Sequence, residues 1–544
     1  MIITRLKFVK KTIFDPLKKP LIMTQNKFAF ALISFLILSF STGSAQEKKS
    51  FPKNEFRAVW IATVANIDWP KSSTDPIEKQ KADYIEILDN YKALNYNAVI
   101  VQIRTAGDAF YPTQLAPWSK YLTGKQGEAT DGNIDLLAWM ITQTHLRGFE
   151  FHAWMNPYRA TMDLNTAQLS RQHDYYRHPE WMIKYAGKWY YNPALPEVQK
   201  HLVAVVDEVV EKYDIDAIHF DDYFYPYKVT GENFNDTASF RKYGDGMSID
   251  DFRRNNVNDF VEAVSHTIKN AKPWVQFGIS PFGVWRNKSV DPRGSDTQSG
   301  QTNYDDLFAD PMAWMENCWI DYLVPQLYWS MEHRTASYSK LIKWWAENTT
   351  NVALYIGNGS YKINTDSDKR WFNPKEIPNQ IDLTRSYPNI NGNAFFSAKV
   401  FINKNKAVTQ LLADSQYKYP ALPYVVPNSR KIVLDVPSVC ERLAVADTTK
   451  YVLEFPTHSK IRYVLIYAAK KGERIDTNDA SQIVDKIAFT EKEFYITIAI
   501  KNTSSEPQST YAASFIDFYG NESLPTILNP VLLPLLNQSL YNEK

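Results

Sequence analysis

The sequence predicts an α/β protein in which a closed (β/α)8 barrel is followed by a small all-β domain. Three observations lead to this fold class. Eight short apolar runs alternate with helical stretches up to about residue 400, polar residues collect at the ends of these runs, and helical patterns stop near residue 427. With 544 residues, 44% of them apolar, the chain is long enough for at least two domains.

The eight apolar runs are rich in β-branched and aromatic residues. They span residues 56–66, 97–108, 148–159, 215–224, 275–286, 320–329, 352–361 and 393–401. Between them, stretches such as 81–96 and 196–213 repeat apolar residues at helical spacing. Eight alternating units imply parallel strands that close a TIM barrel over about residues 51–420.

Each run begins with apolar residues and ends with polar ones. The carboxyl ends of barrel strands lie at the same face, where the active site of such barrels is found, so we expect the polar residues to form a site there. The polar ends include Asn66 and Asp68, Arg104 and Asp108, Asn156 and Arg159, Asp221 and Asp222, Ser280 and Arg286, Gln326 and Tyr328, and Asn358. Side-chain alternation in residues 217–222 directs Ala217, His219 and Asp221 into the barrel. Asp222 then lies just beyond the strand, where the turn can also aim it inward.

Two insertions and a second domain complete the predicted organisation. Residues 160–195 and 227–250 are rich in Tyr, Asn, Asp and Gly, and we expect them to wall a cleft above the barrel mouth. After the Pro-rich stretch 417–427, short alternating strands without helices predict a fibronectin type III-like sandwich at about 425–525. A Pro-broken tail follows at 526–544.

The N-terminus predicts a secretory signal peptide at residues 1–45. Basic residues precede an apolar run at 28–40, and small residues end at Ala45. This run is shorter than the ~20 residues that span a bilayer, and no Cys follows the cleavage point. We therefore expect a soluble exported protein, periplasmic or extracellular, without a membrane span after cleavage. Cys318 and Cys440 fall in different predicted domains and are expected to be unpaired.

Composition bears on the class of partner. The net charge is +1 and the mature part has no long basic run, so nucleic acid is not expected as a partner. Aromatic residues make up 14% of the chain, and exposed rings in a cleft can hold sugar faces. No metal or other cofactor is predicted, because the sequence has no closely spaced His ligands. A metal-dependent deacetylase or amidase is the less favoured alternative, and we expect a monomer.

Several motifs occur in order along the barrel. The segments FRAVWIATVANIDWP, IVQIRTAGDAFYP, FHAWMNPYR, IHFDDYFYP, SPFGVWR and PQLYW resemble the glycosyl hydrolase-like family 10, also known as domain-of-unknown-function family 187. The resemblance covers nearly the whole barrel. It implies a barrel, often followed by a fibronectin-like domain, that acts on bacterial cell-wall glycan, with peptidoglycan strands lacking peptide stems as the substrate class.

Two neighbouring carboxylates, Asp221 and Asp222, are the predicted catalytic groups. Glycoside hydrolysis commonly needs a proton donor and a second group that stabilises the cationic sugar. The pair resembles that of glycoside hydrolase family 84, in which the sugar's 2-acetamido group is the nucleophile; by this resemblance Asp221 orients the acetamido group and Asp222 donates the proton. The chitinase-type strand DGIDIDWEYP differs, since His219 replaces an Asp and Tyr223 replaces the catalytic Glu.

Other assignments stay open at this point. A conventional retaining pair would use Asp221 as nucleophile and Glu332 as acid. In a purely structural role, the two aspartates would cap the following loop or form an ion pair with Arg104. A glycan-binding protein without catalysis, or a hydrolase of another polysaccharide, are the alternative functions.

Further residues near the strand ends are candidates for substrate binding. Arg104 has the planar fork that suits a lactyl carboxylate, although a salt bridge that holds loops at the rim is equally consistent. His152 could bind sugar hydroxyls or be a satisfied interior histidine, and one or two of the tryptophans could stack on sugar. The full set is Arg104, Asp108, His152, Trp154, Asn156, Tyr158, His219, Tyr223, Trp285, Gln326, Tyr328 and Trp329.

Overall fold

The structure is a computed structural model of the chain. It describes residues 51–528 except 131, 133, 403, 446–447, 455–460, 471, 490–494 and 502–508. The predicted signal peptide at 1–45 and most of the predicted tail lie outside the described residues.

Eight parallel strands close into a barrel, as predicted. In chain order the first eleven strands are β1 (Phe56–Ile61), β2 (Ala98–Arg104), β3 (Glu150–Met155), β4 (Met182–Tyr185), β5 (Lys188–Tyr191), β6 (Ala217–Phe220), β7 (Gln276–Ile279), β8 (Tyr322–Leu323), β9 (Gln326–Leu327), β10 (Ala353–Asn358) and β11 (Ile390–Phe395). The barrel follows the order β1-β2-β3-β6-β7-β8/β9-β10-β11, and β11 pairs with β1 to close it. Strands β4 and β5 form a separate hairpin in the first insertion.

Two barrel strands differ in detail from the sequence prediction. The sixth strand is interrupted between β8 and β9 at Val324 and Pro325, because proline has no N–H to give to a ladder. The last strand ends at Phe395, whereas the sequence placed it at 393–401; residues Ala398–Val400 form a short 3-10 turn instead.

Helices cover the outside of the barrel. They are α1 (Ile77–Ala93), α2 (Lys120–Thr123), α3 (Leu136–Leu146), α4 (Asp174–Arg177), α5 (Pro196–Lys212), α6 (Thr237–Tyr243), α7 (Ile249–Ala271), α8 (Asn303–Asp306), α9 (Pro311–Glu316), α10 (Tyr338–Asn348), α11 (Glu376–Arg385) and α12 (Lys406–Leu411). Pro196 occupies the first turn of α5, where its missing N–H has no helical partner to lose. In the described part of the chain, no helix has the length and apolar character to cross a membrane.

Two apolar layers hold the barrel together. Alternating residues such as Ile218 and Phe220 face outward and pack with the helices in a large core. Their neighbours face inward, as predicted, and Ala217 joins a smaller interior core. Gly278 is required in this interior, because a Cβ there would lie 1.9 Å from the Tyr322 ring.

A column of polar side chains runs through the barrel interior. Tyr322 Oη lies 2.7 Å from His152 Nδ1 and 3.1 Å from His219 Nδ1. The outer nitrogens reach Glu150 Oε2, 3.1 Å from His152, and Ser280 Oγ, 3.0 Å from His219. Burial lowers the pKa of His219 well below its usual range, so this ring is neutral. These hydrogen bonds satisfy buried polar groups from four strands and hold the strands in fixed positions inside the barrel.

The C-terminal part contains two antiparallel sheets. Their strands are β12 (Ser438–Val445), β13 (Thr448–Glu454), β14 (Ile461–Ala469), β15 (Ile483–Ala488), β16 (Tyr495–Lys501), β17 (Thr510–Asp517) and β18 (Thr526–Ile527). The sheets have the orders β12-β13-β16 and β15-β14-β17-β18, and side chains of both, such as Leu453 and Phe515, share one core. The fibronectin type III assignment stays a prediction. Strand β18 lies within the predicted tail, so the second sheet extends beyond residue 525.

A buried ion pair joins the second sheet to the base of the barrel. Arg462 on β14 pairs with Asp214 and, at 2.9 Å, with Asp216, whose other oxygen lies 2.8 Å from His145 Nε2. Burial opposes ionisation of Asp216, but the charges of Arg462 and His145 outweigh it and hold the pKa of this carboxyl well below its usual range. Both cysteines are free and lie on the surface.

Replacing Arg462 with Met should destabilise the protein, because Asp216 would keep a buried charge without its main cation. We expect the free energy of unfolding to fall by about 3 kcal/mol, measured by denaturant unfolding at pH 7. Arg474→Met, at an exposed arginine between β14 and β15, is the control. An Arg462→Met protein as stable as this control would contradict the proposed role of the ion pair.

Candidate active site

The two predicted catalytic acids lie where β6 ends. Asp221 and Asp222 directly follow Phe220, the last residue of the strand, and both side chains are buried. The structure surrounds each of them with hydrogen-bond donors from other strand ends, and the described residues place no cation within ion-pair distance of either. This geometry differs from the ion pair with Arg104 that the sequence left open.

Each acid accepts hydrogen bonds from its own set of donors. The side-chain amide of Asn156 donates to Asp221 Oδ2, and the backbone N–H of Tyr223 reaches Asp221 Oδ1 at 3.4 Å. The Tyr227 hydroxyl donates to Asp222 Oδ2, and the side chain of Gln326 adds a hydrogen bond to Asp222. The two carboxyls therefore have different neighbours: Asp221 accepts from an amide and a peptide N–H, whereas Asp222 faces, besides an amide, a hydroxyl group that can also accept a hydrogen bond.

The backbone just after β1 determines which atom of the Asn156 side-chain amide faces Asp221. The N–H groups of Thr63 and Val64 donate to Gln102 Oε1 at 3.1 and 2.9 Å. Gln102 Nε2 must then point to Asn156 Oδ1, 2.6 Å away, which leaves the Asn156 amino group facing Asp221. Because peptide N–H groups only donate, this chain can present only a donor to Asp221.

Burial and mutual repulsion make both acids hold protons more tightly than an ordinary carboxyl. Burial, and next the charge of Asp222, raise the pKa of Asp221; burial likewise raises the pKa of Asp222, against the opposing hydrogen bond from Tyr227. The two groups titrate as a pair, and at neutral pH they can share one proton. A carboxyl that keeps a proton near neutrality can act as a general acid.

Arg159 is the cation whose charge acts on the pair. It lowers the pKa of Asp221 and of Asp222 through space, although it donates no hydrogen bond to either. Its guanidinium lies 4.4 Å from the centre of the Tyr223 ring, a cation–π arrangement. The sequence showed Arg159 as a polar strand end, but assigned it no role.

Aromatic rings border the acids on one side. Tyr328 lies about 6 Å from both Phe396 and Tyr361, with ring centroids at 6.1 and 6.0 Å, and all three are partly exposed. Burial raises the pKa of Tyr328 well above its usual range, and the charges of Tyr361, Asp222 and Asp221 add to this effect. Trp329 is also partly exposed and contacts Phe282 edge to face. These rings form a surface on which a sugar can stack.

Some predicted binding residues lie away from the acids. Arg104 is fully buried, and Asp108 accepts hydrogen bonds from Thr105 and the Ala106 N–H, which caps the loop after β2. No ion pair joins Arg104 to Asp108; the guanidinium donates to the Asp108 backbone carbonyl at 3.3 Å. Neither sequence interpretation of Arg104 has support here, because no described carboxylate pairs with it and its side chain is only 1% exposed.

Four other predicted residues are structural in their contacts. His152 and His219 belong to the interior column, where both nitrogens of each ring contact protein groups. His152 thus has the interior role that the sequence left as its alternative. Tyr158 packs against Phe260 on the helix side of the barrel, and Trp285 stacks on Trp344, because the loops after β3 and β7 turn these rings outward.

The remaining candidates stay near the cleft or at its margin. Trp154 faces the barrel interior and is almost fully buried. Glu332 is exposed in the turn after β9 and accepts a hydrogen bond from Ser339 at 3.4 Å. Its described contacts do not join it to Asp221. Among the residues that the structure describes, no three His, Cys, Asp or Glu side chains group as metal ligands.

The sequence interpretation overlooked four residues of this site. They are Gln102, Tyr227, Tyr361 and Phe396. Gln102 and Phe396 face inward by strand alternation, so the pattern that identified Asp221 could have found them. Tyr227 follows the quoted acid motif by a few positions, and nothing local indicates that its loop folds back onto Asp222.

Similarity to known proteins identifies the barrel. A family model described as glycosyl hydrolase-like 10 matches residues 55–373, which is more than half of the chain. The chain belongs to the glycosyl hydrolase-like 10 family. Glycosyl hydrolase YngK of Bacillus subtilis (strain 168) is 47% identical over 404 residues, 73% of this chain and 78% of YngK. Glycosyl hydrolase DigH of Escherichia coli (strain K12) is 39% identical over 373 residues, 64% of this chain and 84% of DigH.

Among solved structures, the glycoside hydrolase domain of PgaB (BpsB) from Bordetella bronchiseptica is similar. The match has a TM-score of 0.47 at 12% identity and covers 66% of this chain and 98% of that one. Membership of the glycosyl hydrolase-like 10 family, together with the named relatives, shows that the chain is a glycoside hydrolase. The resemblance inferred from the barrel motifs is confirmed at the level of the family.

Changing Gln102 to Glu should shift the pH profile of this glycosyl hydrolase-like 10 protein. A carboxylate at position 102 would still accept from Thr63 and Val64, but it would force Asn156 to flip and present its carbonyl oxygen to Asp221. The pKa of Asp221 should then rise further, so the acidic limb of kcat/KM should move up by about one unit. Gln143→Glu, which adds the same charge on α3, is the control, and an unmoved limb would contradict the amide chain.

Replacing Asp222 with Asn should stabilise the fold at neutral pH. Because the folded-state pKa of Asp222 is raised, its contribution to stability is greatest below about pH 3.9 and is lost as pH rises through the folded pKa. Asn needs neither a buried charge nor a proton bound above the unfolded-state pKa, so the melting temperature should rise by about 1–3 °C at pH 7 and stay nearly unchanged at pH 4. Asp163→Asn, at an exposed site, is the control; a lower melting temperature at pH 7 would contradict the electrostatics described here.

Proposed function

We propose that this protein hydrolyses glycosidic bonds of an N-acetylated bacterial cell-wall glycan, with peptidoglycan strands lacking peptide stems as the substrate. The observation that supports this most directly is the pair Asp221–Asp222, buried at the carboxyl end of β6 with both pKa values raised. The family membership supports glycoside hydrolysis, and the aromatic surface beside the pair suits a sugar ring. The N-terminal signal predicted from the sequence fits a wall substrate reached after export.

The different neighbours of the two acids support different roles. Asn156 and the Tyr223 N–H can only donate to Asp221, so a proton on the oxygen facing Asn156 would meet an N–H and be disfavoured. Asp222 faces the Tyr227 hydroxyl, which can rotate and accept when Asp222 is protonated. Charge repulsion alone would favour a proton on either acid, but the hydrogen bonds favour Asp222 as the acid and Asp221 as the carboxylate.

The proposed reaction uses the sugar's own amide as the nucleophile. Ionised Asp221 accepts the acetamido N–H and increases the electron density on its carbonyl oxygen, which attacks the anomeric carbon. The glycosidic C–O bond breaks as Asp222 transfers its proton to the leaving oxygen. The cyclic oxazolinium is then opened by water, whose proton returns to Asp222, so both acids end in their starting states. Gln326 and Tyr328, close to the pair, can position the acetamido group.

Asp222→Asn should abolish cleavage while the protein stays folded. A fixed general acid typically accelerates such a reaction about 10²- to 10⁴-fold, so kcat should fall by that factor on purified glycan strands without peptides. New reducing ends measure the reaction, and circular dichroism checks the fold. Substantial turnover by Asp222→Asn would contradict its role.

Glu332→Gln is the companion variant that tests the alternative retaining pair. If the proposal is right, this variant keeps its turnover, because Glu332 is exposed and bonded to Ser339. Loss of turnover in Glu332→Gln with survival in Asp222→Asn would favour Asp221 as nucleophile and Glu332 as acid instead.

A further inference from the structure

Arg159 is a nearly buried cation without an anionic partner. Its side chain is 8% exposed, and its guanidinium contacts the face of Tyr223 at 4.4 Å and the sulfur of Met162 at 3.8 Å. Among the described residues, no carboxylate lies within ion-pair distance of it. A thioether is a weak acceptor, so most of the five N–H groups of this guanidinium are not used by the protein.

Several other arginines with little exposure are paired with carboxylates. Arg57 contacts Glu55 at 2.6 Å, and Arg253 contacts Asp236 at 2.7 Å. Arg462 pairs with two aspartates at the barrel base. A buried charge without a partner is costly to the fold. Arg104 also lacks a bonded carboxylate, but at 1% exposure it is enclosed. Arg159 keeps some exposure and its charge acts on the two acids, so it is the arginine placed to meet a ligand.

The position of Arg159 relative to the acids is fixed. Its backbone forms a bridge to Tyr190 in β5, which ties it to the hairpin of the first insertion. The guanidinium stacks on the ring of Tyr223, and Tyr223 directly follows Asp221 and Asp222 in the chain. The charge of Arg159 acts on both acids, yet neither acid accepts one of its hydrogen bonds. The guanidinium is therefore held beside the bond-cleaving groups with its donors free.

We propose that Arg159 binds a carboxylate on the substrate, and so selects aminosugars that carry an acidic side group over neutral ones. The planar fork of arginine matches the two oxygens of a carboxylate, and such charge-assisted pairs are among the stronger hydrogen bonds. The lactyl ether of a muramic acid residue has this chemistry. The inference rests on the proposed function for the identity of the polymer, and it replaces Arg104, which is enclosed, as the carboxylate-binding residue.

The alternative is that Arg159 only tunes the acids. In that case its removal would weaken or slow the protein equally on acidic and neutral glycans, because the effect would pass through Asp221 and Asp222. Recognition of a carboxylate predicts a different result, since only the acidic ligand would lose affinity. A pair of ligands that differ solely in this group separates the two roles.

The test measures binding in an Asp222→Asn background, in which the assigned mechanism predicts no cleavage, and an assay for new reducing ends after each titration checks that the ligand is intact. The probes are peptide-free glycan strands of defined length and the same strands with their lactyl carboxyls converted to methyl esters. Isothermal titration calorimetry gives Kd for each. We expect the free acid to bind about ten-fold or more tightly than the ester, and Arg159→Gln to bring this ratio close to one.

A matched control is available within the first insertion. Arg171 makes the same kind of contact, 4.3 Å over the Tyr176 ring, but is exposed; Arg171→Gln should keep the ten-fold ratio. Arg159→Lys keeps the charge without the fork, and we expect an intermediate ratio from a protein whose melting temperature shows that it is folded. Equal loss of affinity for acid and ester in Arg159→Gln would overturn the proposal, as would a parent protein that binds both strands equally.

Failure of the proposed function gives a different pattern. If the parent chain releases no reducing ends from either polymer but binds the acid more tightly through Arg159, the reaction is misassigned and the recognition stands. If the parent chain cleaves both polymers equally and Arg159→Gln leaves the ratio of the two Kd values unchanged, the proposed reaction is supported and carboxylate recognition by Arg159 is wrong.

Discussion

The constraint on which this site depends is the burial of two adjacent carboxylates without a bonded cation. Asp221 and Asp222 follow β6 directly, and both side chains are almost fully buried. A protein that enclosed two ionised carboxylates here would be strongly destabilised. The fold tolerates the pair because donors from other strands stabilise one charge and because the second acid can keep its proton. The burial that destabilises the two charges also raises their pKa values, which allows one acid to donate a proton near neutral pH.

Donors at the site are held by elements far apart in the sequence. Gln102 belongs to β2, Asn156 follows β3, and Tyr227 lies in the loop beyond β6. The interior column of His152, Tyr322 and His219 supports them from below, since these bonds fix the strands relative to one another. Rigid support of this kind is what lets a site hold groups in an unfavourable electrostatic state.

The sequence was sufficient for the architecture and for part of the site. Parallel β/α units produce a local, repeating pattern, and inward alternation correctly placed Asp221 and His219 inside the barrel. Alternation gives the face of a strand but not the depth, so it left open whether His152 binds sugar or is an interior histidine, and the structure shows the interior role. The hydrogen bonds from Gln102 and Tyr227 depend on barrel closure and on a returning loop, neither of which leaves a local signal. Pro325 did carry such a signal, and it marks the interruption of the sixth strand.

The chain of amides that ends at Asp221 begins at two peptide groups rather than at a side chain. The N–H bonds of Thr63 and Val64 belong to the main chain, and ordinary substitutions at these positions leave them in place. Only proline would remove one. The backbone after β1 thus determines that Asp221 meets only hydrogen-bond donors, which distinguishes it from Asp222. An alanine scan would therefore miss the contribution of the Val64 N–H, whereas Thr63→Ala would also remove the hydroxyl that donates to the Gln102 backbone carbonyl at 2.8 Å.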